Sequence, residues 1–522
     1  MRTHGPTDAA AIYARRWWTL AVLCLALLVI GLDNTILNVA LPTLVRDLHA
    51  SQTQLQWIVD AYTIVYASLL LTTGSLGDKF GRKRALTVGL LMFGVGSLAS
   101  AFSGSADMLI AARGLAGVGG CIIMPATLSI LTNVFPSEER GKAIGIWAGV
   151  SGLGIVVGPT VGGYLLGHFW WGSVFLVNVP VMLVALVAGW FLVPDSRDPS
   201  SPRLDPFGTV LSAVGLVALL YGVIESPAKG WGNTSVIAAF GAGAVILGSF
   251  VYWELHSDHP MLDVRFFKNP RFSGASIAVT LIFFAMFGVM FFLTQYLQDV
   301  LGYSALRAGL AFTPLAVVMM VTAPNSARFT RRFGTKLVVT FGMVLIAGSL
   351  LLLSRATVHS GYLLVGVVLG LLGGGIGFGM SPATESIMGS LPLAKAGVGS
   401  AVNDTTRQIG GALGVAVLGS VTNAAYRAHV GRSAAVAALP GAARAVVRDG
   451  IGNALVVAQK LGTGTLAADA KVAFVHAMSS TVLIAAVVAL GGALVALVWL
   501  PARPAAIKAE PLPEIDAMAL VD

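Results

Sequence analysis

Six ionisable residues sit where an apolar chain does not ordinarily keep them. Asp33 interrupts the run LLVIGLDNTILNVALP, and Asp60 lies inside QWIVDAY. Arg113, Glu385, Asp404 and Arg407 stand in similar surroundings. A charge at the centre of a bilayer costs about 3 kcal/mol on insertion scales, so each is a candidate for ion handling or ion pairing. Asp33 falls about 16 residues into its run, and Asp60 and Arg113 fall about two turns into theirs. The three share one depth, where Arg113 can hold either carboxylate ionised, and its loss favours the protonated acid. That combination makes a proton site; the plainer alternative for Asp33 and Arg113 is a purely structural ion pair. Asp404 and Arg407 are spaced i, i+3 on one helix face. Asp404 is the best acid of the C-terminal region, whereas Glu385 lies close enough to an aqueous interface to be solvated. Glu225, Glu254 and Asp299 fall at the ends of apolar runs and read as solvated.

Around these charges lie aromatic and methionine side chains. Trp57 and Tyr62 flank Asp60, and IFFAMFGVMFFLTQYLQ brings together Phe284, Phe287, Met290 and Phe291. Such surfaces adapt to flat, greasy ligands and suit cations, which makes these six residues candidates for a substrate cavity. The alternative is a run that faces lipid or core. There is no nucleotide-binding loop, no clustered His metal site and no soluble sensor domain, and the eight histidines read as isolated. Cys24 and Cys121 both fall in apolar runs and carry no metal-ligand spacing.

The elements that must position these residues are membrane spans. The chain has 522 residues, of which 56% are hydrophobic and 11% charged, against about 25% charged in soluble domains. One water-soluble core cannot hide that much apolar surface. The net charge of +9 does not point to nucleic acid, because the basic residues are scattered through short loops. Fourteen runs are long enough to cross a bilayer: 17–40, 54–76, 85–103, 107–132, 141–167, 174–194, 206–226, 234–255, 273–298, 306–328, 336–354, 361–385, 397–421 and 473–500. The first is too long for a cleaved signal peptide and no small-residue cleavage site follows it. An even count puts both termini on one side. With them inside, 21 of the 33 Lys and Arg fall in cytoplasmic segments, two in spans and ten outside, six of these in a loop at 422–472. The positive-inside rule therefore places both termini in the cytoplasm. The long external loop is expected to hold a short amphipathic helix or hairpin.

The expected fold class is an all-α polytopic membrane protein of 14 transmembrane helices, in two six-helix bundles with an inserted pair. Lys79-Phe80-Gly81-Arg82-Lys83, between spans 2 and 3, aligns with Arg332-Phe333-Gly334-Thr335-Lys336, between spans 10 and 11. Equivalent turns in two six-span groups indicate repeated halves, a transporter architecture. The domain division is 1–194, an inserted pair with linkers at 195–272, and 273–522.

Four motifs carry a resemblance to a family. GSLGDKFGRK supplies Gly74, Leu76, Asp78, Lys79, Gly81, Arg82 and Lys83 of a G-x-L-a-D-r-x-G-r-k loop. LDNTILNVALP lies in span 1, RGLAGVGG (Arg113 to Gly120) in span 4, and GIVVGPTVGG (Gly154 to Gly163) in span 5, with NDTTRQIGGALGVAVLGS in span 13 as further support. In this order the chain resembles the major facilitator superfamily, in its 14-spanner drug:proton antiporter branch of multidrug and quaternary ammonium exporters. The resemblance covers almost the whole chain. It implies a conformational latch at Gly74, Asp78, Gly81 and Arg82, and an antiporter motif at Gly154, Gly158, Pro159, Gly162 and Gly163. Arg331 stands where the first half has Asp78, so the latch is expected to be asymmetric. The glycines of span 5 recur every four residues and Pro159 bends the helix, giving a smooth face expected to slide against the other half.

The function implied is proton-coupled efflux of hydrophobic, cationic drugs or dyes by alternating access, which leads to antibiotic resistance. The expected partners are such small molecules, protons and the lipid bilayer of the cell membrane. No nucleic acid and no cofactor beyond the proton gradient are expected, and the chain is expected to act as a monomer and not as an enzyme. The nearest alternative is export of one specific metabolite, antibiotic, siderophore or lipid. A membrane enzyme or receptor is the alternative from another class.

Overall fold

The structure is a computed structural model that describes residues 6–48, 50, 52–197 and 205–502. The linker stretch 198–204 and the tail 503–522 lie outside the described residues. Every described element is helical. A chain crossing a bilayer must satisfy its own backbone hydrogen bonds, and a helix of about 20 residues does so.

The long helices are α1 (Pro6–Asp47), α2 (Gln52–Phe80), α3 (Arg82–Ala101), α4 (Ala106–Val134), α5 (Ser137–His168), α6 (Asn178–Leu192), α7 (Pro206–Lys229), α8 (Thr234–His256) and α9 (Pro270–Gln295). The helix Thr313–Leu353 follows, then α12 (Tyr362–Met388), α13 (Ala396–Val430) and α14 (Gly464–Trp499). Thr313–Leu353 is broken by non-helical backbone at Gly334, which divides it into α10 (313–333) and α11 (335–353). Twelve helical segments among the described residues are long and apolar enough to cross a membrane. One of them, Leu306–Leu353, has 48 residues, far more than one crossing requires. Its break at Gly334 makes it two passes, and the 32-residue α5 packs along α1 and α10 as another. These passes are consistent with the fourteen expected.

The repeat is visible at its two breaks. Gly81 has φ 109 and Gly334 has φ 83, a region where glycine alone is unstrained. Just beyond the first, the Arg82 N–H donates to the Ser196 carbonyl at 2.9 Å, past the end of α6. Just beyond the second, the Lys336 N–H donates to the Pro501 carbonyl at 3.4 Å, past the end of α14. In each half, then, the second helix breaks into the third at a glycine and docks on the exit of the sixth. The bundles are α1–α6 and α9–α14. Between them α7 and α8 pack on each other, and α7 also touches α2 and α13, one helix from each bundle. The face that carries these two breaks and the start of α1 is called the terminal face below.

Three sequence expectations change. The loop read as 422–472 is shorter, because α13 continues to Val430 and α14 begins at Gly464. Between them lie three short helices, Ala434–Ala437, Gly441–Asp449 and Ile451–Leu461, rather than a single helix or hairpin. Tyr426 donates to the Val447 carbonyl at 3.2 Å and Arg427 pairs with Asp449 at 2.8 Å, which ties the extra turns of α13 to this cap. Glu254 is not solvated: it is 2% exposed, and its Oε2 accepts from the Leu262 N–H at 3.1 Å. Two of the eight histidines also meet, with the rings of His429 and His476 stacked 5.6 Å apart.

Candidate functional site

Three charged clusters lie within or between the bundles. The first is entirely in the N-terminal half. Asp33 on α1 has no exposed surface, and its Oδ2 lies 2.6 Å from Nη1 of Arg113 on α4. Its other oxygen accepts from Nδ2 of Asn178, at the start of α6, at 2.9 Å. The guanidinium of Arg113 stands 4.5 Å from the ring of Tyr62 and 5.7 Å from that of Phe175, and its Nε reaches the Ile58 carbonyl at 3.4 Å. A buried ion pair repays its desolvation only when its remaining hydrogen-bonding groups are also met. Here Asn178, the Ile58 carbonyl and two ring faces do that.

The second cluster lies on the seam between the bundles. Asp404 and Arg407 on α13 pair at 3.6 Å, a looser contact than the first. Asn403 donates to Asp404 at 3.3 Å, and Arg407 donates to Thr384 Oγ1 on α12 at 3.4 Å. The Arg407 guanidinium lies 4.7 Å from the ring of Trp147, on α5 of the opposite half, and 5.4 Å from that of Phe283 on α9. Trp147 is fully buried and donates to Thr127 at 3.2 Å.

The third cluster closes the terminal face. Asp78 at the end of α2 accepts from Arg82 Nε at 2.9 Å and Nη2 at 2.7 Å. It also accepts from the N–H groups of Gly397 at 2.9 Å and Val398 at 3.2 Å. Those two amides open α13, so a carboxylate of one half caps a helix of the other, where the positive end of the dipole favours it. Arg82 extends the same link through the carbonyls of Leu393 at 2.8 Å and Ala394 at 3.1 Å. Gly74 and Gly397 face each other so closely that neither has room for a side chain.

The other candidates are placed differently from expectation. Asp60 does not join Arg113; its electrostatic neighbour is Glu225 on α7, and Gln56 donates to it. Arg113 pairs with Asp33, and the ring of Tyr62 on α2 lies against its guanidinium. Tyr62 is therefore packing, 1% exposed and stacked on Tyr66 at 5.6 Å, and not an open cavity wall. Phe284 is likewise buried, wedged where its backbone meets Gly414 of α13. Phe287 and Phe291 are exposed, as is Trp57, while Met290 is half-buried. Phe283, one turn before Phe287 and stacked on it at 5.9 Å, is the residue of that run that reaches the seam. Glu385 does not share the arginine of Asp404. It stands at the terminal face within reach of Arg140 on α5, Arg271 on α9 and Arg331 on α10. Here, then, the acid comes from α12 and the arginines around it from α5, α9 and α10, whereas in the first half Asp78 and Arg82 both flank the break at Gly81.

The glycine row of the antiporter motif, Gly154, Gly158 and Gly162, faces α1 of its own half. Gly154 lies against the backbone of Gly31 and Leu32, Gly158 against Thr35 and Gly162 against Ile36. Thr35 Oγ1 also donates to the Gly154 carbonyl at 2.8 Å. The ring of Pro159 lies against Gly309 of the other half, and Gly163 faces open space. The glycine row that meets the other half is one that sequence reading passed over, Gly141, Gly145 and Gly149, packed on Glu385, on Ala323 and Pro324, and on Met320. Its four-residue spacing was the available signal. A leucine at 158 must displace Thr35, two residues from Asp33. We expect Gly158→Leu to cut efflux to under about a tenth of wild type, whereas Gly163→Ala stays within about twofold. Equal behaviour of the two variants in a dye-efflux assay would contradict this packing.

A family model described as Major Facilitator Superfamily matches residues 23–415. The chain belongs to the major facilitator superfamily. Membership makes it a membrane transporter. It is 39% identical to the multidrug efflux pump LfrA of Mycolicibacterium smegmatis over 94% of this chain and 97% of that one. It is 36% identical to the tetracenomycin C resistance and export protein of Streptomyces glaucescens over 79% and 77%. Among solved structures, the proton:xylose symporter XylE superposes with a TM-score of 0.63 at 14% identity, covering 94% of this chain and 96% of that one; this shows the shared fold. Within the superfamily framework, the residues that sequence reading missed are Asn178 and Trp147, while Phe283 was read only as part of the aromatic run and Glu225 only as a solvated acid. Asn178 reads as an ordinary polar residue at a span end, and Trp147 as one apolar residue among many. No group of three or more His, Cys, Asp or Glu among the described residues is placed to hold a metal ion.

Proposed function

We propose that this transporter exports hydrophobic, cationic drugs or dyes in exchange for protons, by alternating access. Each half carries one acid and one arginine buried together, Asp33 with Arg113 and Asp404 with Arg407. The contact of Arg407 with Trp147 of the opposite half is the observation that carries the reading. A change at that acid pair is felt at the seam along which the halves rock. The terminal face is cytoplasmic, in keeping with its excess of Lys and Arg, and the protein sits in the plasma membrane with both termini inside. Residues 1–194 and 273–522 are the moving bundles and 195–272 the inserted pair with its linkers. No cofactor is needed beyond the proton gradient, and the monomer is the working unit. A cation entering the site meets Asp33, Asp60 and Asp404 as countercharges and the aromatic stripe of Phe283, Phe287 and Phe291 as a greasy wall. The Streptomyces relative, named for resistance to and export of one antibiotic, favours a second reading in which the substrate range is narrow. A susceptibility panel in a pump-deficient host separates the two.

Energetics supply the test. Moving one charge across the membrane is worth about 2.3 kcal/mol per 100 mV. Exchange of a monovalent cation for one proton moves no net charge, so only the pH gradient drives it. With acids in both halves, more than one proton is carried per monovalent cation, and export is electrogenic. In reconstituted vesicles without a pH gradient, a valinomycin-set potential is expected to accelerate cation movement. An unchanged rate would limit the exchange to one proton, and Asp60 or Asp404 would then serve substrate binding or structure.

A further inference from the structure

The inserted pair has no counterpart in the repeated halves, yet α7 lies along both of them, against α2 and against α13. At its outer end the loop to α8 is anchored: Trp231 donates to Ser420 Oγ on α13 at 3.0 Å and stacks on Phe240 of α8 at 6.0 Å. One turn inside that anchor is Glu225. Its side chain is 14% exposed and pairs with Lys229 at 3.1 Å, while Lys229 also donates to Tyr221 at 3.0 Å. Asp60 stands about two turns into α2, the helix packed against α7, from the same end at which Glu225 stands one turn in, and lies within electrostatic reach of Glu225.

We propose that Glu225 is a positioning residue for proton exchange: held by Lys229 on the inserted helix, it faces Asp60 and sets the pH at which Asp60 takes up and releases its proton. The inserted pair is then part of the transport machinery and not a spacer. The inference rests on the proton-coupled export proposed above, with Asp60 as one of its acids. Glu225 brings a like charge to Asp60, and Lys229, paired with Glu225, offsets that charge, so removing one or the other moves Asp60 in opposite directions. The charged and titratable groups facing Glu225 from its surroundings are Asp60 on α2 and Lys229 and Tyr221 on its own helix. From α13 the contact is Ser420 to Trp231, since Arg427 turns to Asp449. The α8 contact is the ring of Phe240, packed against Gly222.

The test is the pH profile of ethidium efflux from vesicles of the full-length protein, at a fixed pH difference across the membrane. Glu225→Gln is expected to move the midpoint to lower pH by about half a unit or more, a roughly threefold change in proton affinity. Lys229→Met is expected to move it to higher pH, and Glu225→Asp to restore the wild-type midpoint. In an Asp60→Asn background, where the pH profile is read from ethidium binding to the purified protein and not from efflux, neither Glu225→Gln nor Lys229→Met produces a shift. Profiles of both single variants that superpose on an active, pH-dependent wild type would overturn this inference and leave proton-coupled export standing. Shifts of the same sign for the two would also overturn it, as would a shift that persists with Asp60→Asn. A wild type whose efflux ignores the pH gradient would sink the export reading itself and this inference with it. Should Glu225→Gln fail to fold, the Lys229→Met shift and its loss with Asp60→Asn decide the matter alone.

Discussion

Asp33→Asn is expected to reduce efflux of a cationic dye to the level of cells without the transporter. The asparagine keeps the shape that meets Asn178 but leaves Arg113 buried without its countercharge. Removing one partner of a buried pair costs about 3–5 kcal/mol, so this variant is also expected to be less heat-stable in detergent. The double variant Asp33→Asn/Arg113→Met separates the two effects. With no charge left, its thermal midpoint should return most of the way to wild type while efflux stays absent. If the double variant transports, the pair is only a structural strut and proton exchange lies elsewhere.

Asp78→Asn is expected to lower turnover by about tenfold or more, with dye binding to the purified protein within about threefold of wild type. Asp78 accepts four hydrogen bonds, two from Arg82 and two from the first amides of α13. Charge-assisted bonds of this kind are roughly twice as strong as neutral ones. An asparagine offers one accepting oxygen and no charge, so the conformation closed on the terminal face loses much of its stabilisation relative to the open one. A ligand site elsewhere is untouched, and only the balance between states shifts. Parallel loss of binding and turnover would show that the contact supports the binding site and is not a latch.

Much of this was legible in the sequence because a bilayer makes strong demands on a chain. Runs of about 20 apolar residues announced the spans, and the glycine shared by KFGRK and RFGTK announced the repeated break now seen at Gly81 and Gly334. The pairing of Asp404 with Arg407 followed from their i, i+3 spacing on one helix. The pairing of Asp33 with Arg113 was one of two options, because depth along a span can be counted but the direction a helix turns its face cannot. Asp60 was separated from Arg113 by the rotation of α2, which turns Tyr62 inward and Asp60 toward α7. For the same reason the glycine face of α5 was assigned to the wrong neighbour: its spacing is visible in the sequence, its partner is not. The outer turns of α13, with Arg427 and His429, read as loop because their stability comes from the cap of short helices above them and not from hydropathy.

The most direct test of proton-coupled export follows protons and substrate together in one vesicle. Purified protein is reconstituted with a pH-sensitive dye inside, no pH gradient is imposed, and a cationic substrate such as ethidium is loaded on one side. As the cation moves down its gradient, protons are expected to move the other way, with an internal pH change that a protonophore abolishes and that Asp33→Asn lacks. Cation movement with no accompanying proton movement in the wild type would contradict the account.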